Sequence, residues 1–358
     1  MQPTSMKAWR YNKTPLDDIV FDGPDATFVL ESIPVPKPDD VSILVKPLML
    51  SNDPAQRTWI QKDRAKMRLY MPPVLEGEIM AALGIAQVIA VGQKVSKYKA
   101  GDLVLGLLQW AEYLTIKDDD VWLSLINGGN PLEFDMSVYL GAMGLSGITA
   151  YGGLMRMCEF KPGQSLIVSG AAGSVGNIVV QYAKNVVGAS YVIAIAGSEE
   201  KCDWLRKHGA DVALNYKSPT FEQELIEATP DYIDAMFDNC AGPILDACLL
   251  RLKYWARIAV CGAISSYNDS AGQHLKNYTE IVINRLQLLG FIATDFYDMV
   301  GEIQGNIGKA IKEGKVVVKD AETIVDVRDK FEDIPKVWYR LFEGGNIGKL
   351  VTVVGDEE

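Results

Sequence analysis

Three glycines, Gly170, Gly173 and Gly176, are spaced three residues apart between an apolar segment and a segment with helical periodicity. The apolar segment, residues 165–169, has the composition of a buried β-strand, and the glycines would form the turn that leads into a helix. In such a turn glycine lets the backbone approach a pyrophosphate, and the helix N-terminus presents free N–H groups to it. A second apolar segment, residues 191–196, follows at the spacing of a βαβ unit. The pattern therefore predicts a site for a dinucleotide.

The residues after the second predicted strand discriminate between the two nicotinamide dinucleotides. Sites for NAD usually carry an acidic residue at the tip of this strand, about 20 residues past the glycines, to bind the ribose 2′-hydroxyl. Here the strand ends in Ala196, Gly197 and Ser198, and Lys201 lies one helical turn further on. A small turn followed by a lysine suits a 2′-phosphate, so we expect NADP(H). The alternative is that Ser198 only caps a helix and that Lys201 is only a solvated charge.

Composition and charge argue against several classes of protein. The net charge of −11 disfavours nucleic acid as a partner, and no apolar segment reaches the roughly 18–20 residues of a membrane span. The first residues lack the apolar core of a signal peptide, and the cysteines form no close pairs, so we expect a cytoplasmic protein. The histidines, His208 and His274, have no Cys, His or Glu at ligand spacing, and we therefore expect no metal site.

The pattern along the chain predicts two domains, for which 358 residues are sufficient. Residues 1–137 contain short β-like segments interrupted by Gly and Pro, whereas residues 138–310 alternate strand and helix patterns. That alternation is typical of a doubly wound parallel sheet, so we expect an α/β fold. β-rich character returns in residues 311–358, which we assign to the first domain. Ligands bind outside the carboxyl ends of parallel strands, and we expect the first domain to cover that crevice from the other side.

Short motifs along most of the chain carry a resemblance to a known family. They are Asp53-Pro54 and residues 106–113, 144–151, 171–176, 197–201, 215–217, 238–239, 261–268, 290–292 and 345–349. In their order and spacing the sequence resembles the zinc-independent medium-chain dehydrogenase/reductases. The most similar branch contains the leukotriene B4 12-hydroxydehydrogenase/prostaglandin reductases and the alkenal/one double-bond reductases. The resemblance implies a GroES-like β-rich catalytic domain (1–137 and 311–358), a Rossmann NADP-binding domain (138–310) and a homodimer.

The resemblance also implies roles for individual residues in binding NADP(H). The pyrophosphate would lie against Gly173, Ser174, Val175 and Gly176, and the adenosine 2′-phosphate against Lys201 and Tyr216, with Ser198 nearby. The nicotinamide half would lie against Asn239, Cys261, Gly262, Ala263, Ile264, Ser265, Tyr267, Phe291, Ile292, Ala293 and Asn346. The carboxamide would lie close to Met143 and Thr149, and Pro54 completes the cofactor set. The alternatives are that Cys261 only fills a strand end and that Asn239 and Asn346 only form turns.

Two positions depart from the pattern of the family. The family commonly has Asp-Pro-Tyr-Met-Arg, and this chain has Ala55 in place of the aromatic residue. We therefore expect a larger or differently shaped substrate pocket that includes Ala55, Tyr70 and Trp110, in which Tyr70 takes the place of the missing ring. A proline is common where Ser146 stands.

The activity that the resemblance implies is an NADPH-dependent ene-reductase for α,β-unsaturated aldehydes and ketones. Hydride would add to the β-carbon, and a proton would add to the α-carbon. We expect Tyr267, together with the nicotinamide ribose, to hydrogen-bond the enolate oxygen, the alternative being that Tyr267 only positions the ribose. Two other functions stay open: a zinc-independent NADPH-dependent carbonyl/alcohol oxidoreductase, and a protein that binds NADPH without turnover.

Overall fold

The computed structural model describes residues 3–61, 68–126, 133–269 and 274–358 of the chain. The strands are β1 (Ser5–Tyr11), β2 (Phe28–Pro34), β3 (Ser42–Ser51), β4 (Ala81–Val91), β5 (Leu103–Gln109), β6 (Leu114–Lys117), β7 (Ser124–Leu125), β8 (Ser165–Val168), β9 (Tyr191–Ala196), β10 (Val212–Asn215), β11 (Ile233–Asp238), β12 (Leu252–Val260), β13 (Gln287–Gly290), β14 (Glu322–Asp326) and β15 (Lys349–Val353). The α-helices are α1 (Gln56–Trp59), α2 (Leu145–Tyr151), α3 (Ser174–Tyr182), α4 (Glu199–Lys207), α5 (Phe221–Ala228), α6 (Gly242–Leu249), α7 (Thr279–Ile283), α8 (Val300–Lys312) and α9 (Ile334–Glu343).

The chain divides into two compact units. The first takes in Met1–Leu140, Ile324–Gly345 and Leu350–Glu358, and the second takes in Gly141–Thr323 and Asn346–Lys349. Residues 311–323 and 346–349, which the sequence pattern assigns to the first domain, therefore lie in the second unit. The reason is local backbone pairing, because the N–H of Gly348 donates to the carbonyl of Ala172 at 2.7 Å and the N–H of Lys349 donates to Ala321 at 2.9 Å.

The first unit is the predicted β-rich domain. Its larger sheet has the order β14-β15-β3-β4-β5-β7, with β6 paired to β3, and β1 and β2 form a separate antiparallel pair. Trp110 packs between two other aromatic side chains of this unit's core, since its ring lies 5.0 Å from that of Phe28 and 5.8 Å from that of Trp338. Trp338 comes from the buried face of α9, and its indole N–H donates to the carbonyl of Asp53 at 3.2 Å. This bond fixes the start of the loop that leads into α1.

The second unit is the predicted α/β domain. In the described residues its sheet has six parallel strands in the order β10-β9-β8-β11-β12-β13. The apolar side chains of β8 and β9 are completely buried at Leu166–Val168 and Val192–Ile195, as expected for a sheet covered on both faces. Strand order reverses between β8 and β11, which is the Rossmann arrangement and places a ligand crevice at the carboxyl ends of these two strands. The α/β fold that the sequence predicts is thus confirmed.

The close packing of Gly348 against the backbone of the second unit can be tested by substitution. Gly348 has φ 67°, and a Cβ placed on it would lie 1.7 Å from the carbonyl oxygen of Ala321. Gly348→Ala should lower the free energy of unfolding of the protein by about 2–4 kcal/mol, because backbone must move to relieve the clash. The measurement is chemical denaturation followed by circular dichroism.

Gly314→Ala is the matched control. Gly314 has nearly the same backbone conformation (φ 69°), but no heavy atom lies within 4 Å of its added Cβ. It should therefore cost only the strain of the left-handed conformation, about 1–2 kcal/mol. Equal losses for the two variants would contradict the packing argument.

Candidate functional site

In the glycine turn after β8, the backbone at the start of α3 lies close to the backbone of Gly170. Gly170 has φ 56°, and the N–H of Gly173 donates to its carbonyl at 3.0 Å. A Cβ placed on Gly176 would lie 2.4 Å from that same carbonyl oxygen. A side chain at Gly176 would thus push α3 away from the turn, which explains why glycine is needed there.

The N-terminus of α3 presents backbone donors in front of this turn. The helix begins at Ser174, after Gly173 at the N-cap, and the N–H of Asn177 is bonded to the carbonyl of Gly173 at 3.1 Å. The N–H groups of Ser174, Val175 and Gly176 precede that first helical bond and point out of the helix end. With the positive end of the helix dipole, they form a cradle for an anion.

A second anion-binding corner lies at the carboxyl ends of β9 and β10. The ring of Tyr216 covers Gly197, where an added Cβ would lie 3.0 Å from the ring. Burial, and then the positive charge of Lys217, lower the pKa of the Lys201 ammonium. Within the described residues neither ammonium forms an ion pair, and Lys217 lies 5.9 Å from the centre of the Tyr216 ring. A bound phosphate would compensate both charges.

Two features of this corner bear on the sequence interpretation. Ser198 does cap α4, since its hydroxyl accepts a hydrogen bond from the N–H of Lys201 at 3.3 Å. The cap fixes the backbone at Lys201, and the hydroxyl proton of Ser198 can still be donated to a ligand. Lys217 is absent from the predicted cofactor residues. Its position directly after Tyr216, at the end of a strand beside β9, was the signal that could have found it.

A buried carboxyl group organises the carboxyl ends of β8 and β11. Asp238 is completely buried and accepts hydrogen bonds from the hydroxyl of Ser169 at 2.7 Å and from the N–H groups of Cys240 and Ala241 at 3.1 Å. Burial raises the pKa of Asp238 above its usual range. The side-chain N–H₂ of the neighbouring Asn239 donates to the carbonyl of Ser169 at 2.7 Å. The Asn239 amide is thus held in one orientation, with its carbonyl oxygen as the acceptor for a ligand.

The loop after β12 folds back on itself around Tyr267. The N–H of Cys261 donates to the carbonyl of Asp238 at 2.8 Å, and the N–H of Ala263 donates to the hydroxyl oxygen of Tyr267 at 3.2 Å. Gly262 lies close by, and a Cβ placed on it would be in van der Waals contact with the same oxygen at 3.4 Å. The Tyr267 hydroxyl oxygen therefore accepts a hydrogen bond from the backbone, which fixes its position in the loop.

The rest of this loop is built from small residues. Ile264–Ser266 form a 3-10 turn, and the hydroxyl of Ser265 donates to the carbonyl of Cys240 at 2.5 Å. Burial raises the pKa of the Cys261 thiol to about 12, so the thiol stays protonated at neutral pH. Cys261 is thus a neutral group at the end of β12, which agrees both with a cofactor contact and with a packing residue.

The segment Phe291–Ala293 packs close to two glycines, Gly152 and Gly153, that are not among the predicted cofactor residues. Gly152 and Gly153 begin a π-helical turn, and a Cβ on Gly153 would lie 2.6 Å from the ring of Phe291. The Phe291 ring is therefore packed inward, against Phe237 and Phe296. Its backbone, together with Ile292 and Ala293, is what a cofactor could contact.

The remaining predicted cofactor residues of the second unit have defined partners. The carbonyl of Met143 accepts from the side chain of Gln304 at 2.8 Å, and the Thr149 hydroxyl donates to the carbonyl of Leu145 at 2.7 Å. The Asn346 side chain donates to the carbonyl of Gly348 at 2.7 Å, and Gly348 forms a parallel bridge with Gly173. Asn346 is thereby brought next to the glycine turn, although 173 residues separate it from Gly173 in the chain.

The predicted substrate residues belong to the first unit. Pro54 and Ala55 lead into α1, and the indole N–H of Trp59 donates to the hydroxyl of Tyr70 at 3.2 Å. A mainly apolar cavity of about 370 Å³ lies in this unit. Its lining residues are Trp59, Met71, Pro72, Pro73, Val74, Glu78, Ile79, Ala81, Leu107 and Gln109. Trp110 has no exposed surface and packs in the aromatic core, so the structure does not support its assignment to the pocket.

The described residues contain neither a metal-binding cluster nor a membrane-spanning helix. No group of three or more His, Cys, Asp or Glu side chains there is arranged to hold a metal ion. No helix of the described part of the chain combines the length and the apolar character that crossing a membrane would require.

Comparison with known proteins agrees with this geometry. Residues 7–123 match the family model described as the N-terminal domain of oxidoreductase, and residues 174–305 match the model described as zinc-binding dehydrogenase. The chain is 36% identical over 320 residues to the NADP(+)-dependent 2-alkenal reductase of Nicotiana tabacum, which covers 88% of each chain. It is 33% identical over 333 residues to prostaglandin reductase 1 of Bos taurus, covering 91% of this chain and 94% of the relative.

A solved structure supports the same grouping. CurA from Vibrio vulnificus in complex with NADPH superimposes with a TM-score of 0.85 at 29% identity, covering 98% of this chain and 99% of that one. The chain is an NADPH-dependent oxidoreductase. It belongs to the medium-chain dehydrogenase/reductases, in the branch of the alkenal and prostaglandin reductases.

NADP(H) is the cofactor, and the residues of the second unit fit it. The glycine turn with the N-terminus of α3 suits a pyrophosphate, and the uncompensated charges of Lys201 and Lys217 suit a 2′-phosphate. When bound, the cofactor supplies a hydride.

Lys201→Ala tests the assignment of the 2′-phosphate. The variant should bind NADPH about 10- to 100-fold more weakly, because a charge-assisted hydrogen bond is lost, and NADH binding should not change. Affinity of the wild-type protein for NADPH should also fall as pH rises through the pKa of Lys201, since the phosphate prefers the protonated ammonium. Nucleotide fluorescence titrations measure both effects.

Lys207→Ala serves as the control, since Lys207 is an exposed cation in the last turn of the same helix. It should leave NADPH binding within about twofold of the wild type. A Lys201 variant that loses affinity for NADPH and NADH equally would contradict a specific 2′-phosphate contact.

Proposed function

We propose that this protein is an NADPH-dependent ene-reductase that saturates the C=C bond of α,β-unsaturated aldehydes and ketones. The observation that carries the proposal is the Tyr267 hydroxyl, which is fixed by the N–H of Ala263 in the loop predicted to hold the nicotinamide half. The 2-alkenal reductase and the prostaglandin reductases among the relatives add support.

The reaction requires little acid–base chemistry from the protein. The β-carbon of an enal or enone is already electrophilic, and hydride addition there moves an electron pair to the carbonyl oxygen. A hydrogen-bond donor at that oxygen stabilises the enolate more than it stabilises the substrate. In this proposal the Tyr267 hydroxyl donates to the enolate oxygen, and the hydrogen bond that its oxygen accepts from the N–H of Ala263 polarises the O–H bond. A proton from solvent then adds to the α-carbon.

The substrate-binding surface in this proposal belongs to the first unit. Ala55 stands where the family commonly has an aromatic ring, and the hydroxyl of Tyr70 accepts a hydrogen bond from Trp59, which lines the apolar cavity. Apolar walls of this kind favour substrates with a hydrocarbon body and one polar carbonyl group. We therefore expect medium-chain and aryl enals and enones to be better substrates than acrolein-sized ones.

The proposed location of the protein is the cytoplasm. All five cysteines are free thiols, and burial raises the pKa of each, as expected for a protein that folds in a reducing compartment without disulfides.

Tyr267→Phe tests the role of the hydroxyl. If this hydroxyl stabilises the enolate, kcat for a medium-chain enone should fall about 100-fold while the Kd for NADPH changes less than about threefold. The measurement combines NADPH oxidation at 340 nm with mass identification of the product, which should be the saturated carbonyl compound. Tyr191→Phe, at the amino end of β9, is the control and should retain full turnover.

Other outcomes of this experiment are equally informative. A weakened Kd with unchanged kcat would assign Tyr267 to positioning of the ribose, and no change in either would contradict both roles. An allylic alcohol as product would establish the carbonyl oxidoreductase instead. NADPH binding without oxidation by any enal or enone would establish a binding protein.

The proposed homodimer would form on the outer edge of the second unit's sheet. β13 is the last strand of the sheet in the described residues, so one edge of it carries backbone groups available for pairing. The side chains of Val282, Ile283 and Leu288 beside it are exposed at 66%, 54% and 37%. Antiparallel pairing of β13 with its copy about a two-fold axis would cover this apolar surface.

Val282→Glu should therefore shift the protein from dimer to monomer at micromolar concentration, measured by light scattering after size-exclusion chromatography. Burying two like charges close to the two-fold axis costs several kcal/mol of association free energy, about 100-fold or more in Kd. Ile226→Glu, at an exposed apolar position of α5, is the control and should remain dimeric. A monomeric wild-type protein would contradict the proposal.

A further inference from the structure

Two serine hydroxyls meet beside the anion cradle of the second unit. The hydroxyl of Ser174, the first residue of α3, donates a hydrogen bond to the hydroxyl of Ser146 in α2 at 2.7 Å. Ser146 is 5% exposed, whereas Ser174 is half-buried at the open end of the helix. A polar residue in this buried position is unexpected, because an apolar residue would pack there without needing a partner.

A pair of hydroxyl groups can exist in two hydrogen-bond directions. Each hydroxyl is both donor and acceptor, so only one of the two protons occupies the gap between the oxygens. Reversing the direction requires rotation of the two O–H bonds and a reorientation of the Ser146 hydroxyl, because in this structure Ser174 is the residue oriented to donate. In the described part of the chain Ser174 is the hydrogen-bond partner of the Ser146 hydroxyl, so the observed direction leaves the buried Ser146 proton without an acceptor. The reverse direction satisfies that proton and turns the Ser174 proton outward.

An anion at the N-terminus of α3 favours the reverse direction. Ser174 lies at the point where the N–H groups of Ser174, Val175 and Gly176 converge, so a proton turned outward there faces the anion. The gain is one charge-assisted hydrogen bond, with no loss between the two serines.

We propose that Ser146 is a positioning residue for the 5′-phosphate of the adenosine half of NADP(H). It donates to Ser174, and Ser174 in turn donates its proton to a phosphate oxygen. This inference rests on the proposed function only in taking NADP(H) as the ligand, and it is independent of the substrate that is reduced. Ser146 itself does not touch the cofactor.

The test is a double-mutant cycle on NADPH affinity with Ser146→Ala, Ser174→Ala and the double variant. Ser174→Ala should raise the Kd about tenfold, because one hydrogen bond to a charged group is lost. Ser146→Ala should raise it about three- to fivefold, because the Ser174 proton loses its fixed orientation. In the Ser174→Ala background the Ser146 substitution should have no further effect. Ser146→Thr, which keeps a hydroxyl, should restore most of the affinity.

Two nucleotide fragments separate a relay to the phosphate from a general structural role. Adenosine 2′,5′-bisphosphate carries the 5′-phosphate, and adenosine 2′-monophosphate lacks it. Ser146→Ala should weaken binding of the bisphosphate about three- to fivefold and leave that of the monophosphate unchanged. Ser165→Ala is the control for the loss of a buried hydroxyl, since Ser165 bonds Asp234 at the opposite end of β8. It should lower the Tm without changing either affinity.

The outcomes that overturn the proposal are distinct from those that overturn the function. If Ser146→Ala binds NADPH as the wild type does, or if it weakens binding by the same factor with and without Ser174, the relay is wrong. An equal loss of affinity for the two fragments would also overturn it, in favour of a simple contact between α2 and α3. Failure of the wild-type protein to reduce enones leaves all of these comparisons intact.

Discussion

The site of the second unit depends on the hydrogen bond between Ser169 and Asp238. Between these two strand ends the sheet reverses its order, and the chain from each strand leaves to opposite sides. The side chain of Asp238 fills the space between the ends of β8 and β11, which would otherwise be open to water. Its carboxyl group is buried, and without hydrogen-bond partners it would be strongly destabilising. Asp238 instead bonds one hydroxyl and two backbone N–H groups. The same bonds set the start of the glycine turn and the orientation of Asn239.

Electrostatics at the site oppose the charge of the chain as a whole. The protein carries a net charge of −11, and NADP(H) is itself a polyanion, so their long-range interaction is repulsive. At physiological ionic strength such repulsion is screened beyond about 8 Å, and contacts at shorter range decide affinity. Partial burial keeps Lys201 poorly hydrated, so it gives up less hydration free energy when a phosphate binds. Electrostatic attraction between the protein and NADP(H) is thus confined to the N-terminus of α3 and to the corner with Lys201 and Lys217, where the phosphates would lie.

Features that depend on local sequence could be predicted, and features that depend on distant contacts could not. The glycine turn, the strand after it and the cap at Ser198 follow from residue types and spacing within about thirty residues. The support of Phe291 by Gly153 required knowing that a π-helical turn and a later loop meet, which no periodicity indicates. The family motif of residues 106–113 assigns Trp110 to the pocket, whereas two aromatic side chains from remote segments, Phe28 and Trp338, bury it in the core. The second compact unit continues to Thr323, and the N–H of Lys349 donates to the carbonyl of Ala321, a contact between distant segments that no local pattern indicates.

The loop before α1 is rigid, and this determines how the alanine at position 55, in place of an aromatic residue, affects the local structure. The buried guanidinium of Arg57 donates to the carbonyls of Pro15 and Asp17, and the carbonyl of Asp53 is bonded by Trp338. With both flanks of Ala55 fixed in this way, the backbone cannot collapse into the space that an aromatic ring would fill. Loss of a large side chain on a fixed backbone leaves volume rather than disorder. Under the proposed function, the alanine at position 55 would therefore alter the shape of the substrate pocket without altering the course of the loop that carries it.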